Sequence, residues 1–392
     1  MAVKRVSADR RVKKTVDKKA KTGRGIKSID YTFLFLIMLM LSIGLVMLLS
    51  ASAPAGASKF NDSYHFFKKQ IIFVAAGLVG MVVVSKIDYR IYRKYAGIYF
   101  VVCLVLLTLV AIPGIGVKLN GSRRWIQLPG FQLQPSEFMK LAIGMLFAQL
   151  ISTGKYNVSK LKDLRIFAAV LAAVAVLMLL EPHLSGTIVI VGIGVWILIS
   201  SGTPVWPFAV GMPVVGVVGI VLIFFFDANR LARLMRFLNP FEDMQNTGYQ
   251  IAQALYAMGS GGIFGRGIGQ SVQKYSYLPE PYNDFIFSIA CEELGLVGAA
   301  VIIIIFALLI LRGFRIALNA PDTFGSLLAT GIMAQVAIQT TLNIAVATSS
   351  VPNTGVSLPF FSYGGTAIMV LLTEMGILLN ISRASINEHV RM

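Results

Sequence analysis

The chain has 392 residues, of which 56% are hydrophobic and only 14% are charged, with a net charge of +17. Soluble globular proteins contain about 25% charged residues, so this composition excludes an ordinary soluble domain and predicts a membrane protein. The two cysteines lie within apolar runs, which argues against a disulfide framework. No HExxH or CxxC spacing occurs, so no transition-metal site is expected.

The first 30 residues form a basic tail that contains eleven Lys or Arg and three Asp. Such a segment is too polar to bury a core, and we expect it to be disordered. Its charge is best explained by contact with anionic lipid headgroups at the cytoplasmic face, and no nucleic-acid partner is expected. The predicted organisation is a tail at 1–30, a membrane domain at 31–382 and a cytoplasmic end at 383–392.

An apolar run of about 20 residues crosses a membrane as a helix. The chain contains ten such runs, which predict an all-α polytopic membrane protein. They lie at 31–51, 66–85, 95–113, 133–152, 164–181, 184–201, 205–226, 285–311, 323–349 and 364–382. Cytoplasmic loops are enriched in Lys and Arg, and placing the tail inside puts 23 of the 35 basic residues on the cytoplasmic side. Both ends of the chain are therefore predicted to be cytoplasmic.

The predicted outer loop between spans 7 and 8, residues 227–284, is unusually long. Connections beyond about 15 residues are commonly functional. The apolar periodicity of this loop predicts amphipathic or re-entrant helices that lie against the outer face of the bundle. Its many glycines do not indicate a nucleotide site, because the GxGxxG spacing is absent and no strand precedes them.

Two of the predicted outer loops carry basic residues, against the usual distribution of charge, and Lys140 lies inside span 4. The basic residues of these loops are Lys118, Arg123, Arg124, Arg230, Arg233, Arg236, Arg266 and Lys274. One explanation is an anionic partner held at the outer face. The other is contact with lipid headgroups or pairing with nearby acids. These acids are Asp227, Glu242, Asp243 and Glu280.

Five ordered motifs in this chain carry a family resemblance. They read NGSRRWI, LQPSEFMKLA, GYQIAQALYAMGSGGIFGRGIGQS, YLPEPYNDFIFSIACEELGLVG and VPNTGVSLPFFSYGGTA. Together they resemble the shape, elongation, division and sporulation (SEDS) polymerases over about residues 30–382. The cell-division and sporulation branches are more similar to this chain than the rod-elongation branch, which usually lacks so long a basic tail.

This resemblance implies a peptidoglycan glycosyltransferase. Such proteins polymerise lipid II at the outer face of the bacterial cytoplasmic membrane and release undecaprenyl diphosphate, here in septal cell-wall synthesis. The resemblance also implies a class B penicillin-binding protein as the transpeptidase partner, together with other division proteins. No resident cofactor is predicted, and the sequence leaves open whether Mg²⁺ or Mn²⁺ assists at the diphosphate.

The essential acid of the family falls in the motif LPEPYNDFIF, so the resemblance assigns the catalytic role to Asp284. Further predicted substrate-binding residues lie in the loop before span 4, in that span, in the long outer loop and in the turn before span 10. They are Arg124, Gln134, Ser136, Glu137, Lys140, Arg233, Ser362, Tyr363 and Gly364. We interpret the turn VPNTGVSLPFFSYGG as a rigid wall of the substrate cavity, because its prolines and glycines favour tight backbone packing.

Elementary chemistry agrees with one acid among several cations. A diphosphate leaves as a stable anion, so glycosyl transfer from it needs one general base and cations on the phosphates. A glycosidase, by contrast, needs two carboxylates. From the residues alone, Asp284 is equally well explained as an N-cap, because it stands directly before a helical run.

Other charged groups in the spans have simpler explanations. Glu137 and Lys140 are three residues apart on one helix and can form a local ion pair, or Lys140 can face the phosphates. Glu292 and Glu293 are expected to be buried partners of Lys140 or of another span, and Glu374 to be structural. The chain also departs from the family at Tyr282-Asn283, where His-Thr is usual, and at the EPHLSGT segment, where a histidine replaces an acid.

Two rival functions remain at this point. A flippase for lipid II would also need ten spans and an anionic lipid site, but its cations should be distributed towards both membrane faces. A non-catalytic division scaffold would explain the basic tail and would leave Asp284 and the surrounding cations unexplained. The concentration of unusual charges on the outer side favours the polymerase.

Overall fold

The computed structural model describes residues 29–389 except 113, 120–121, 130, 182, 210, 212–239 and 242–247. The helices of the described residues are α1 Tyr31–Phe60, α2 His65–Lys86, α3 Arg90–Ala111, α4 Pro135–Ser152, α5 Leu161–Leu180, α6 Leu184–Ser200, α7 Tyr249–Ser260, α8 Ile286–Leu318, α9 Thr323–Ala347 and α10 Gly365–His389. The strands are β1 Gly116–Leu119, β2 Ser122–Leu128 and β3 Phe131–Leu133.

The protein is an α-helical polytopic membrane protein. Seven of the described helices are long and apolar enough to cross a membrane, namely α1, α2, α3, α5, α8, α9 and α10. The apolar helix α6 is slightly shorter, and α4 has 18 residues. Nine of the ten predicted spans therefore coincide with described helices. Most of the seventh predicted span, at 205–226, lies outside the described residues, as do the tail at 1–28 and residues 227–239 and 242–247 of the predicted outer loop.

Helices α9 and α10 form the centre of the bundle. In their most apolar windows 72% and 78% of the residues are buried, against 22% in α2, α3 and α5. Helix α4 is also central, since every residue from Met139 to Ala148 is buried. The central helices carry several buried polar side chains, which a lipid-facing helix could not accommodate. The peripheral helices present apolar side chains outward, as expected for contact with lipid.

A small antiparallel sheet, in the order β1-β2-β3, lies between α3 and α4. Val117 pairs with Trp125, and Ile126 pairs with Leu133. This region is predicted to be a loop, so the sheet is an addition to the predicted all-helical fold. It is followed at once by Pro135 at the start of α4, where proline is favoured because its nitrogen needs no partner. The sheet, whose strand β2 carries Arg124, thus leads directly into the start of α4.

The two ends of the bundle contain different parts of the chain. At one end Arg312 Nε lies 2.8 Å from Asp30 Oδ2, and the Asp30 N–H donates to Ser382 Oγ. This end therefore carries both the beginning of α1 and the last turns of α10. The sheet, Asp284 and the segment 351–364 lie at the opposite end, since Thr366 Oγ1 at the start of α10 donates to the Gln132 carbonyl on β3.

Helix α7 confirms that the long outer loop contains helical structure. Its buried residues Ile251, Ala252, Ala254 and Ala257 lie on one face, as expected for an amphipathic helix lying on the bundle. Helix α8 is kinked at Gly295, which has φ +70° and ψ −172°. We call Ile286–Leu294, the part before this kink, the outer segment of α8. Asp284 comes two residues before it.

Candidate active site

Asp284 does not cap helix α8. The N-cap position is occupied by Phe285, which makes no side-chain capping hydrogen bond. The capping interpretation therefore has no support from the structure.

The main chain around Asp284 is held by side chains and backbone from other helices. Asn343 Nδ2 on α9 donates to the Asp284 carbonyl (2.8 Å) and to the Val356 carbonyl (2.7 Å). Ser362 Oγ donates to the Asn283 carbonyl (2.6 Å), and the Tyr363 N–H donates to the carbonyl of residue 282 (2.9 Å). Three consecutive carbonyls are thus fixed, so the backbone carrying the carboxylate has little freedom to move.

The segment 351–364 also contacts the carboxylate itself. Gly355 has φ +70°, and a Cβ at this position would lie 3.2 Å from Asp284 Oδ2. A glycine is therefore favoured both by the left-handed backbone and by the close approach of the acid. The Gly364 N–H donates to Gln70 Oε1 on α2 (3.2 Å), which anchors the far end of the segment. These contacts agree with the predicted rigid wall next to the site.

The pKa of Asp284 is raised to about 6. Burial is the main cause, although part of the side chain still reaches solvent, and the negative charge of Glu280 adds to it. The positive charge of Arg124 acts in the opposite direction. At neutral pH the carboxylate is therefore mostly ionised, yet it is more basic than an ordinary aspartate. A general base works best when its pKa lies near the operating pH.

Arg124 lies on β2, so the sheet is what brings this cation to the acid. Its charge affects three groups that are distant in sequence, which places it among them. It opposes the rise in the pKa of Glu181, which burial brings to about 8. It adds to the effect of burial on His183, whose pKa falls to about 3. The site thus combines the Arg124 cation with the ionised Asp284, a Glu181 carboxyl that keeps its proton at neutral pH, and a neutral His183 imidazole.

Gln134 and His183 meet directly at this end of the bundle. Gln134 Nε2 lies 3.3 Å from His183 Nε2. The amide nitrogen donates to this ring nitrogen when the imidazole carries its proton on Nδ1. His183 is the N-cap residue of α6, but its side chain makes no capping hydrogen bond. The segment in which this chain departs from the family pattern therefore borders the site.

Glu137 and Lys140 form the predicted local ion pair. Lys140 Nζ lies 2.7 Å from Glu137 Oε2, and both side chains are buried. Glu137 also lines a cavity of about 20 Å³ together with Gln335, Ser362 and Tyr363. That volume suffices for a single water molecule. A contact between Lys140 and phosphate stays a prediction. Ser136 precedes the pair and is buried as well.

Glu292 and Glu293 are buried, but they do not pair with Lys140. Glu293 accepts a hydrogen bond from Ser50 Oγ on α1, which agrees with the predicted alternative of a partner on another span. Both acids also bind the segment before Asp284, since Lys274 Nζ lies 2.9 Å from Glu293 Oε1 and Ser271 Oγ donates to Glu292. The predicted phosphate ligand Arg233 lies outside the described residues. Within the described ranges, no group of three His, Cys, Asp or Glu side chains could hold a metal ion.

Sequence reasoning did not identify Asn343, Gln70 or Glu181 as neighbours of the site. A signal existed for each of them, because polar residues within apolar spans or at their ends are costly in a bilayer and usually have a role. Glu374 is the remaining buried acid of the bundle. It accepts a hydrogen bond from Gln335 Nε2 (3.0 Å), in agreement with a structural role.

The sequence profile of a family described as Cell cycle protein, FTSW_RODA_SPOVE, matches residues 31–387. The chain belongs to this family. It is 42% identical to Stage V sporulation protein E of Bacillus subtilis (strain 168), over 83% of this chain and 89% of that protein. It is also 42% identical to the probable peptidoglycan glycosyltransferase FtsW of Trichlorobacter lovleyi, over 83% of this chain and 86% of that protein.

Solved structures confirm the fold of this FtsW/RodA/SpoVE family member. A chain from a study of polymerization and crosslinking by a peptidoglycan synthase complex superposes with a TM-score of 0.76 at 25% identity, covering 91% of this chain and 98% of the other. The rod shape determining protein RodA of Thermus thermophilus superposes with a TM-score of 0.68 at 26% identity, covering 91% and 97%. The family resemblance deduced from the motifs is therefore confirmed.

Proposed function

We propose that this protein is a peptidoglycan glycosyltransferase that polymerises lipid II at the outer face of the cytoplasmic membrane, with Asp284 as its catalytic base. The observation that carries the proposal is the environment of this acid. Its carboxyl has a pKa of about 6, it is influenced by the charge of Arg124, and its backbone is fixed on both sides. The relatives named peptidoglycan glycosyltransferase support the class of reaction.

In the proposed reaction Asp284 takes the proton from the 4-hydroxyl of the acceptor GlcNAc. The oxygen forms a bond to C1 of the donor MurNAc, and the bond between C1 and the diphosphate oxygen breaks. The electron pair of that bond leaves with undecaprenyl diphosphate, and the configuration at C1 is inverted. One base suffices, because the leaving diphosphate needs no proton.

The cations of the site would stabilise the charge that develops on the diphosphate. Among the described cations, Arg124 is the one whose charge acts on the pKa of Asp284. We propose the same role for Arg233. The buried Lys140 is already neutralised by Glu137, so we assign this pair to shaping the cavity wall and to a phosphate contact that forms only with substrate. Gln134 and Ser136 supply polar contacts beside it.

A divalent cation could act only together with the substrate. Mg²⁺ is commonly held by one or two carboxylates and by substrate phosphates. Glu280, which is close enough to act on the pKa of Asp284, would provide such a carboxylate. Mg²⁺ or Mn²⁺ would supply further neutralisation of the diphosphate, while Asp284 stays free to accept the proton.

The orientation follows from the distribution of charge. The start of α1, which follows Asp30, and the last turns of α10, which carry Ser382, lie at the same end of the bundle. The positive-inside rule assigns this end to the cytoplasm. The Asp284 end then faces outward, where lipid II is polymerised. We further propose a class B penicillin-binding protein as the transpeptidase partner and the division septum as the location, because the relatives include FtsW proteins.

The test is the formation of glycan strands from lipid II by the purified protein in detergent or proteoliposomes. Strands should form with the wild type and not with Asp284→Asn, and a partner transpeptidase should be needed only for crosslinking. Transport of lipid II across vesicles without strand formation would support a flippase instead. A folded protein that shows neither strand formation nor transport would support the scaffold function.

A further inference from the structure

The ion pair between Lys274 and Glu293 closes a loop in the chain with Asp284 in its middle. Lys274 comes ten residues before Asp284 and Glu293 nine residues after it. We call Lys274 and Glu293 the loop-closing pair. The segment before Asp284 and the outer segment of α8 after it are therefore tied to each other at a point remote from the carboxylate.

The loop-closing pair is buried, and Lys274 Nζ and Glu293 Oε1 share a network of hydrogen bonds. Lys274 Nζ donates to Glu293 Oε1 (2.9 Å), to Ser50 Oγ (3.0 Å) and to the Gly269 carbonyl (2.6 Å). Ser50 Oγ on α1 in turn donates to Glu293 Oε1 (2.6 Å). The side-chain exposures of Lys274 and Glu293 are 4% and 0%. Separating the two side chains would leave each charge buried without its partner, so the ion pair strongly favours the closed loop.

Backbone contacts extend this attachment along the kink in α8. The N–H groups of Arg266 and Gly267 donate to the carbonyls of Glu292 (3.0 Å) and Glu293 (2.9 Å). On the other side of the kink, residues 296 and 297 donate to the carbonyls of residues 262 and 263. At the kink at Gly295, helical hydrogen bonds are thus replaced by hydrogen bonds to residues 262–267. The direction of the outer segment of α8 depends on this stretch of the chain.

The closed loop also holds strained backbone. Ser276 has φ +69° and Glu280 has φ +46°, a left-handed conformation that costs L-residues about 1–2 kcal/mol each. Such conformations persist only where the surroundings impose them. Glu280 is the residue whose charge raises the pKa of Asp284. The anchors therefore fix the electrostatic environment of the acid as well as its backbone.

We propose that Lys274 and Glu293 are positioning residues for glycosyl transfer, which hold Asp284 at the distance and in the environment that the reaction needs. This inference rests on the proposed function. Opening the loop-closing pair should let the carboxylate move and become more hydrated. Misplacement by about 1 Å can cost about 100-fold in rate. The expected defect lies in kcat, because neither residue lies among the proposed lipid II ligands.

The experiment compares full-length variants in the strand-formation assay, with kcat, the KM for lipid II and the pH dependence of the rate. Lys274→Met with Glu293→Gln removes both charges, so no buried charge is left unpaired. Asp30→Asn with Arg312→Gln is the matched control, because that ion pair has a similar separation, 2.8 Å, but lies at the opposite end of the bundle.

We expect the loop-closing double variant to lose about 10-fold or more in kcat with KM within about twofold. The acid limb of its pH profile, the fall in rate at low pH, should move from about pH 6 towards the ordinary range of an aspartate. A more hydrated carboxylate loses the effect of burial, the main cause of its raised pKa, and a mobile Glu280 adds less to it; the release of Arg124 acts in the opposite direction and is the smaller effect. The control variant should keep the kcat and the acid limb of the wild type. A folded double variant with unchanged kcat and acid limb overturns the proposal.

If the double variant does not fold, Ser50→Ala decides the question. It removes one hydroxyl between the two charges and leaves the ion pair intact, so a smaller loss of kcat with a shifted acid limb is expected. A wild-type kcat and acid limb in this variant would equally overturn the proposal. Failure of the proposed function would look different, because then Asp284→Asn would still form strands or the wild type would form none.

Discussion

Replacing Asp284 by Asn separates catalysis from stability. The amide keeps the size of the side chain, and the hydrogen bonds at this position involve the carbonyls of residues 282–284, which the change leaves in place. Asn cannot accept a proton near neutral pH, however. Since general base catalysis contributes about 10²–10⁴-fold, we expect strand formation to fall by at least about 100-fold.

The same change should not lower thermal stability. The Asp284 carboxyl has a higher pKa in the folded chain, about 6, than its ordinary value of 3.8, so the folded protein binds this proton more tightly than the unfolded chain does. Its contribution to stability is greatest at low pH and is lost as the pH rises through about 4 to 6. At pH 7 the ionised acid lowers the free energy of unfolding by at most about 3 kcal/mol. The actual cost is smaller, because part of the carboxylate is solvated, and Asn avoids it.

The measurements are strand formation from lipid II and thermal unfolding, both at pH 7 and at matched protein concentrations. An inactive variant with an unchanged or higher Tm fits an acid kept for catalysis at the expense of stability. Strand formation above about a tenth of the wild-type rate would refute the catalytic role of Asp284. A large fall in Tm would instead show that the carboxylate is structural.

Further predictions concern the surroundings of this acid. The wild-type rate should fall as the pH drops below about 6, because Asp284 becomes protonated, and a rate that stays level down to pH 5 would contradict this. Arg124→Gln should weaken polymerisation and move the acid limb to higher pH, since the charge of Arg124 lowers the pKa of Asp284. Arg124→Lys should restore the pH profile but only part of the rate, because lysine lacks the planar guanidinium that binds phosphate through two hydrogen bonds. Lys140→Met alone should cost about 3–5 kcal/mol of stability by leaving Glu137 buried and unpaired, whereas adding Glu137→Gln should recover most of it in thermal unfolding.

The sequence predicts well what depends on local pattern. Nine described helices lie where apolar runs predict spans, and the Glu137–Lys140 pair follows from their spacing on one helix. The strands between α3 and α4 are not predicted, because they contain three to seven residues each and too few alternations to reveal a period of two.

Contacts between distant residues also escape prediction from one sequence. Ser50 and Glu293 are 243 residues apart and Asn343 and Asp284 are 59 apart, so no local rule connects them. The kink at Gly295 is equally hidden, since a glycine within an apolar run reads as an ordinary helical residue until its loop partners are known. The family motif identifies Asp284, and only the fold shows what holds it in place.

Gly355 offers the sharpest test of how finely the carboxylate is placed. Gly355→Ala imposes two separate penalties. The left-handed φ of +70° should cost about 1–2 kcal/mol of stability, and the new Cβ would lie 3.2 Å from Asp284 Oδ2, so the acid must shift by a few tenths of an ångström. Gly154→Ala is the matched control, because Gly154 has φ +68° and no neighbouring atom within 4 Å of the built Cβ.

Both variants should therefore lose similar stability in thermal unfolding, whereas only Gly355→Ala should lose kcat, by about 10-fold on the scale at which 1 Å costs about 100-fold. The KM for lipid II should change little in either. Equal strand formation by the two variants would mean that the reaction tolerates movement of the carboxylate. The rigid attachment of Asp284 to the segment 351–364 would then serve folding alone.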